Sequence, residues 1–377
     1  MRNLCFCSGP CAKRPGWKAP ETKLLGRSHR STDGLNLIKE TVKLQREILQ
    51  IPDDYLIAIT PASSTGAMEM LLWNFIRDNG TDILNCCVFS NHWARDIIHE
   101  IKAKNVNLVS AEFPYQSDTK SINHSHDVVF CISSTTSGTA YYDLNWISDN
   151  RQGITICDAS SGAFVMTMNW SKLDATAFSW QKGLGGEAGF GVIVLSPRAV
   201  NRLLTYQPQR GIPRVFRMLN DDKLNQAFFE GSTINTPSML CIQECYDNLK
   251  WAKNGGGLTY LIRRVEENYQ AVYRWISQQD MFRFLVPDEF RAHHIACLDL
   301  TDDGYQALSS PQKREFLRKI LEKSEQKQYG YDFLGHALEK PHIRIWCGPT
   351  IELSDLNFFL SKLPELYAEV RAEYDFC

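Results

Sequence analysis

The chain of 377 residues carries 41 Lys and Arg against 43 Asp and Glu, a formal net charge of −2. That balance argues against broad binding to nucleic acid or to an anionic membrane, and 44% apolar with 22% charged residues excludes wholesale disorder. The length predicts two or three domains with room for a large core.

Residues 1–34 are rich in Gly, Pro and Lys/Arg and read as an extended, irregular arm. Residues 35–50 place apolar side chains at helical spacing. Residues 55–60 then read as a strand, 61–66 as a small polar turn and 67–77 as a helix, the opening of an α/β unit. Further short strands are predicted at 86–90, 106–110, 127–132, 154–157, 175–179 and 191–195, with a helix over 93–104. This alternation predicts a predominantly parallel sheet covered by helices. Residues 240–253 and 258–279 are helical on either side of Gly255-Gly256-Gly257, where we place a domain boundary. Beyond it, strands near 292–299 and 342–346 and helices near 310–325 and 353–375 predict a smaller α+β domain. The expected division is therefore 1–255, the arm with a large α/β domain, and 256–377. A cleft between two such domains is a common place for a small molecule.

Twelve cysteines are many, but a disulfide scaffold would be shorter and denser in cysteine. They read as reduced thiols of a cytoplasmic protein. Cys5, Cys7 and Cys11 cluster loosely without the spacing of a metal site, and none is expected. His124, His126, His293 and His294 read as surface or loop residues. The start has no signal-peptide pattern, and no run approaches the roughly 18 apolar residues of a membrane helix.

Four groups of residues could carry chemistry. Residues 154–158 are an apolar run ending in Asp158, and an acid at a strand's C-terminal end faces the crevice where α/β proteins bind ligands. Lys182 follows the strand at 175–179 and opens a glycine-rich turn. A pair of this kind matches the two protein groups that pyridoxal phosphate demands: an acid to keep the pyridine nitrogen protonated and a lysine to form an imine. The run Pro61-Ala-Ser-Ser-Thr-Gly-Ala67 before a helix could offer N–H groups and hydroxyls to a phosphate. Trp93 could stack on an aromatic cofactor. Read singly, each has a plain structural alternative: a capping acid, a surface lysine, an ordinary N-capped helix and a core indole.

Beside these residues stand eight stretches, in order from residue 7 to 348, that resemble the phosphoserine aminotransferases in the form found in some bacteria and methanogenic archaea. They are Cys7-Ser-Gly-Pro-Cys-Ala-Lys-Arg-Pro-Gly-Trp17, Gly26-Arg-Ser-His-Arg30, Thr65-Gly-Ala-Met-Glu-Met70, Thr135-Thr-Ser-Gly138, Phe178-Ser-Trp-Gln-Lys-Gly-Leu-Gly-Gly-Glu187, Leu195-Ser-Pro-Arg-Ala-Val200, Gly231-Ser-Thr-Ile-Asn-Thr-Pro-Ser-Met-Leu-Cys241 and Arg344-Ile-Trp-Cys-Gly348. The resemblance implies a class V aminotransferase of pyridoxal-phosphate fold type I, with a large α/β domain of predominantly parallel mixed sheet, a smaller C-terminal α+β domain, and a homodimer with shared active sites.

It also implies roles. Lys182 would be the catalytic, imine-forming lysine. Asp158 would pair with the pyridine nitrogen, Trp93 would stack on the ring, and Thr135 would bond the ring's phenolic oxygen or its neighbours. Ser64, Thr65 and Gln181 would hold the cofactor phosphate, joined by Asn235 and Thr236 from the other subunit. His29 and Arg30 would reach the substrate phosphate, also across the dimer. Arg344 would grip the α-carboxylate. The implied reaction is ping-pong transfer of an amino group from glutamate to 3-phosphohydroxypyruvate, in serine biosynthesis.

Several substrate-side positions depart from the family pattern. Ile132-Ser-Ser-Thr-Thr-Ser-Gly-Thr-Ala140 lacks a Trp, an Asn and an Arg. His336-Ala-Leu-Glu-Lys340 replaces Tyr-Arg-Asp-Ala-Pro, and Arg210-Gly-Ile-Pro213 replaces Trp-Pro-Leu-Pro. His336, Lys340 and Arg210 are the candidates to restore the lost positive charge. A paralogue acting on another amino acid or oxo acid, or a non-catalytic descendant, is the alternative. A cysteine desulfurase would carry His before the lysine and His over the ring, where Gln181 and Trp93 stand.

Overall fold

The computed structural model describes residues 2–20 and 23–374. Asp375, the last residue of the helix expected over 353–375, and Cys377 lie outside them. Helix α1 (Thr32–Leu49) starts three residues before the periodicity predicted, because Ser31 accepts the N–H of Gly34 and caps it. Strand β1 (Leu56–Pro61) leads into α2 (Ser63–Phe75), followed by β2 (Thr81–Asn85), α3 (Val88–Arg95), β3 (Val106–Ser110) and β4 (Asp127–Cys131). A two-residue hairpin, β5 (Ser133–Ser134) and β6 (Thr139–Ala140), precedes β7 (Thr155–Asp158), β8 (Ala175–Ser179), β9 (Phe190–Leu195) and α4 (Pro197–Thr205). The large sheet has the order β1-β9-β8-β7-β4-β2-β3, and only β9 runs against its neighbours.

Strands β4, β7, β8 and β9 are buried along their whole length, so both faces must be covered. Alternation divides them. Phe130, Phe178, Val192 and Val194 pack toward α1. Val129, Ala177, Ile193 and Leu195 pack toward α2, α3 and α4. The result is three layers, helix–sheet–helix.

After a short hairpin, β10 (Leu219–Asn220) and β11 (Lys223–Leu224), and the turn-length α5 (Gln226–Phe229), helix α6 (Met239–Gly255) joins α1 over the sheet. Its end is the predicted glycine run: Gly256 takes φ 117° as the left-handed cap, and Gly257, at φ 70°, starts α7 (Leu258–Ile276). An antiparallel sheet of β12 (Phe282–Phe284), β13 (Ile295–Leu300) and β14 (Ile343–Trp346) follows, with the short α8 (Asp303–Ala307), α9 (Ser310–Gln326) and α10 (Leu353–Arg371). Its core also contains Leu4 and Phe6 of the arm, and Phe6 stacks on Phe359 at 4.5 Å. The arm is thus pinned here: Phe6 N donates to Tyr331 O, and Trp346 N donates to Phe6 O.

Three predicted elements differ. The strand expected at 86–90 is β2, five residues earlier, and 88–90 are helical. Thr81 and Asp82 disguised the strand; Asp82 is fully buried, accepting from Asn123 N at 2.6 Å and facing His126 Nδ1 at 2.7 Å. The helix expected over 93–104 is α3 plus a wider π turn, Asp96–Glu100. The turn expected over 61–66 is compressed into Ala62 and Ser63, at φ 65° and 55°, and the helix starts at Ser63.

Candidate functional site

The C-terminal ends of β4, β7 and β8 meet at one edge of the large sheet. Cys131 ends β4, opposite Asp158, which ends β7, and Lys182 lies three residues past β8. Asp158 is buried without a salt bridge among the described residues. Its donors are neutral: Ser160 N at 3.0 Å and Ser160 Oγ at 2.6 Å on Oδ1, and Trp93 Nε1 at 3.0 Å on Oδ2. Burial pushes its pKa up, against the pull of the Ser160 and Trp93 hydrogen bonds. Trp93 lies inside α3 rather than opening it, and its indole N–H is fixed on the carboxylate.

Lys182 is also buried. Its Nζ donates to Ser8 O and to Thr135 Oγ1, each at 3.0 Å. Burial lowers its pKa, and the positive charge of Arg344 adds to that, against the nearby Cys11 and Asp158. The arm therefore forms one wall of the site. A Cβ on Gly9 would stand 3.3 Å from Lys182 Nζ, so glycine leaves the amine its room.

Arg344, on β14, donates from Nη1 to Thr135 O at 3.3 Å, while its Nε is buried without a partner. Thr135 belongs to the hairpin turn between β5 and β6. Beneath it, His294 is fully buried, with Nε2 2.8 Å from Ser133 Oγ. Ser133 Oγ also lies 3.1 Å from Thr139 O, so the hydroxyl ties the imidazole to the far strand of the hairpin. Burial, then the charge of Lys182, pushes the His294 pKa down to about 3. Expected as a surface or loop residue, His294 lies in the turn before β13 but is buried, where it holds the hairpin that bears Thr135.

Ser64 lines a small cavity with Asp158, Ser160, Ser161 and Lys182. Thr65 and Trp93 line an adjoining cavity of about 330 Å³, and Phe89 borders both. Ser64 and Thr65 lie in the first turn of α2, whose start has no side-chain cap. Its leading N–H groups are free to face an anion. Gln181 O accepts from Cys11 N at 2.8 Å, and its side-chain Oε1 is buried and unpartnered. The structure thus brings Ser64, Thr65, Trp93, Thr135, Asp158, Gln181, Lys182 and Arg344 to one edge.

It leaves the other four expected residues apart. Asn235 and Thr236 are exposed, Asn235 Nδ2 bonding only Thr236 O at 3.1 Å. His29 and Arg30 lie on the surface just before α1. Two candidates for restoring charge are occupied elsewhere. Arg210 donates to Trp73 O and Ile76 O at the end of α2, and Lys340 reaches Phe113 O. His336 stays near the site, its pKa lowered by burial and then by Arg344, His92 and Lys182. Sequence reasoning missed Ser8, Ser160 and His294. Ser160 had a local signal, since an Asp–x–Ser step commonly closes on its own backbone. Ser8 acts through its carbonyl, which residue identity does not reveal.

No family model matches the chain. It is 42% identical over 360 residues to the phosphoserine aminotransferase of Methanosarcina barkeri, covering 94% of each chain. This chain belongs to the phosphoserine aminotransferase family. It is likewise 41% identical over 361 residues to the Methanosarcina mazei enzyme, again covering 94% of each. The solved structure of pyridoxal-phosphate-bound phosphoserine aminotransferase from Trichomonas vaginalis matches the fold at a TM-score of 0.79 and 18% identity, over 96% of this chain and all of that one. The family's members are transaminases that depend on pyridoxal phosphate, and the residues here fit that group. A cation-free carboxylate, a buried amine, an open helix start and the unpartnered Gln181 Oε1 and Arg344 Nε are what such a molecule requires.

Proposed function

We propose that this chain is a phosphoserine:2-oxoglutarate aminotransferase, moving the amino group of glutamate to 3-phosphohydroxypyruvate. The observation that carries the reading is the pairing of buried Lys182 with cation-free Asp158 at the ends of neighbouring strands. Pyridoxal phosphate, when bound, supplies an electron sink for the charge left at the substrate Cα. Lys182 Nζ, kept toward its neutral form by burial, takes a proton from that carbon and returns it. Asp158 holds a protonated ring nitrogen, and the Trp93 and Ser160 donors keep its carboxylate in place. Ser64, Thr65 and Gln181 hold the cofactor phosphate. Arg344 takes the substrate carboxylate with its free Nε and planar fork.

Asn235, Thr236, His29 and Arg30 act on the neighbouring subunit's site, consistent with their exposure here, so the working unit is a cytoplasmic homodimer. A large cofactor-binding domain meets a smaller one at the glycine run, with Leu4 and Phe6 of the arm in the smaller core. A paralogue acting on another oxo acid is the second reading, favoured by the engagement of Arg210 in the fold. Protein loaded with pyridoxal phosphate is mixed with phosphoserine, then alanine or an aromatic amino acid. Rapid loss of the cofactor's visible band with phosphoserine is expected. Loss with the other amino acids alone would overturn the substrate assignment.

A further inference from the structure

One group of reactive side chains is not used by the proposed chemistry. Cys87 Sγ lies 3.9 Å from Cys131 Sγ, and Cys131 Sγ lies 4.0 Å from Asp158 Oδ2. The two cysteines follow or end neighbouring parallel strands, β2 and β4. They border different spaces. Cys87 lines a groove of about 260 Å³ with Cys86, His92, Phe113, Leu338 and Glu339, whereas Cys131 lines the cavity of Asp158 and Lys182. No group of three or more His, Cys, Asp or Glu among the described residues is set to hold a metal ion.

We propose that Cys87 and Cys131 are a peroxide-sensitive dithiol that closes to a disulfide behind the carboxylate of Asp158. Cys87 is the attacking sulfur. It is the N-cap of α3, where its Sγ accepts from Ser90 N at 3.4 Å. Such a donor favours a thiolate. Its thiol contacts with Cys131 and Cys86 lower its pKa well below the ordinary value, while that of Cys131 is raised by the contact with Cys87 and by burial. Cys131 is therefore the resolving thiol.

The chemistry needs only a hydroperoxide, arriving through the groove. The Cys87 thiolate attacks its outer oxygen; an S–O bond forms, the O–O bond breaks, and the alcohol or water leaves with a proton. The Cys131 thiol then attacks the Cys87 sulfur. The S–S bond forms, the S–O bond breaks, and water leaves with the Cys131 proton. Two electrons pass from the sulfurs to the peroxide. To bond at about 2.05 Å, each sulfur moves by about 1 Å. Closure removes the Cys131 S–H that faces Asp158 and draws its sulfur toward the groove, so oxidation is felt at the cofactor carboxylate.

The test uses full-length protein loaded with pyridoxal phosphate, exposed to one equivalent of hydrogen peroxide, alkylated and mapped by peptide mass without reduction. The expected product is a Cys87–Cys131 linkage lighter by two hydrogens, reversed by dithiothreitol. Cys86→Ser should still form it, and Cys131→Ser should leave Cys87 as an oxyacid. Absence of the linkage, or a Cys86–Cys87 pair in its place, would overturn the proposal. Cofactor retained through gel filtration should fall several-fold on oxidation and return on reduction, and Cys87→Ser should retain it throughout. A linkage without change in retention would refute the coupling to Asp158. A protein that forms the linkage but never binds pyridoxal phosphate would instead count against the transaminase reading alone.

Discussion

The large sheet buries carboxylates at both edges, and they are treated in opposite ways. At the N-terminal edge, Asp174 receives Arg151 Nε at 3.0 Å, Arg198 Nε at 3.3 Å, Ser196 Oγ at 3.0 Å and Thr155 N at 3.0 Å. Asp127 likewise receives Arg202 at 3.0 Å and Arg77 at 3.3 Å. At the C-terminal edge, Asp158 receives only neutral donors, although two cations, Lys182 and Arg344, stand in the same site. A completed ion pair is a structural device. A buried carboxylate left without its cation requires another partner, and a protonated ring nitrogen supplies one. The difference separates acids that hold the sheet together from the acid proposed to meet the cofactor.

The largest break in this comparison is Lys182→Ala. It should abolish transamination and the visible band of the lysine-bound cofactor while circular dichroism stays that of the folded protein. Retained turnover would remove Lys182 from the reaction. Next, Asp174→Ala leaves the Arg151 guanidinium buried and unpaired, and should lower unfolding free energy by about 3–5 kcal/mol. Urea melts would measure that loss, and the folded enzyme should keep its single-turnover rate within a few-fold. A large rate loss without destabilisation would reverse the assignment of the two edges.

The smallest effect concerns pH. His294 stays neutral in the fold down to about pH 3, whereas its unfolded form takes a proton near 6.5. Between those values the unfolded state binds more protons, so stability is greatest above pH 6.5 and is lost as pH falls. Urea melts across that window should find the wild type losing stability toward acid more steeply than His294→Gln. Parallel curves would contradict the burial of the neutral imidazole.

The two edges also differ in how far the sequence revealed them. Asp158 was legible because it closes an apolar run at a strand's C-terminal end, and Lys182 because it follows the next strand into a glycine-rich turn. Trp93 was a candidate as an aromatic ring at a helix start, while Thr135 and Arg344 came from family motifs. Asp82 made β2 illegible: its charge reads as a loop, yet backbone and imidazole partners 41 and 44 residues on make a buried strand possible. The arm was illegible for a related reason. Its wall over Lys182 is the Ser8 carbonyl and the missing Cβ of Gly9, which act through backbone and absence rather than side-chain chemistry. The burial of His294 was illegible since a His–His pair has no period, and only the tertiary contact with Ser133 distinguishes the buried ring from its neighbour.

The contrast between the edges rests on Asp158. Its test is the single-turnover rate of the pyridoxal-phosphate-loaded Asp158→Asn protein with phosphoserine, measured beside Asp174→Ala. An amide keeps the shape and removes the charge. The rate should fall by about a hundredfold or more in Asp158→Asn, the scale of losing a key electrostatic contact, and by no more than a few-fold in Asp174→Ala. A wild-type rate in folded, cofactor-bound Asp158→Asn would contradict the account.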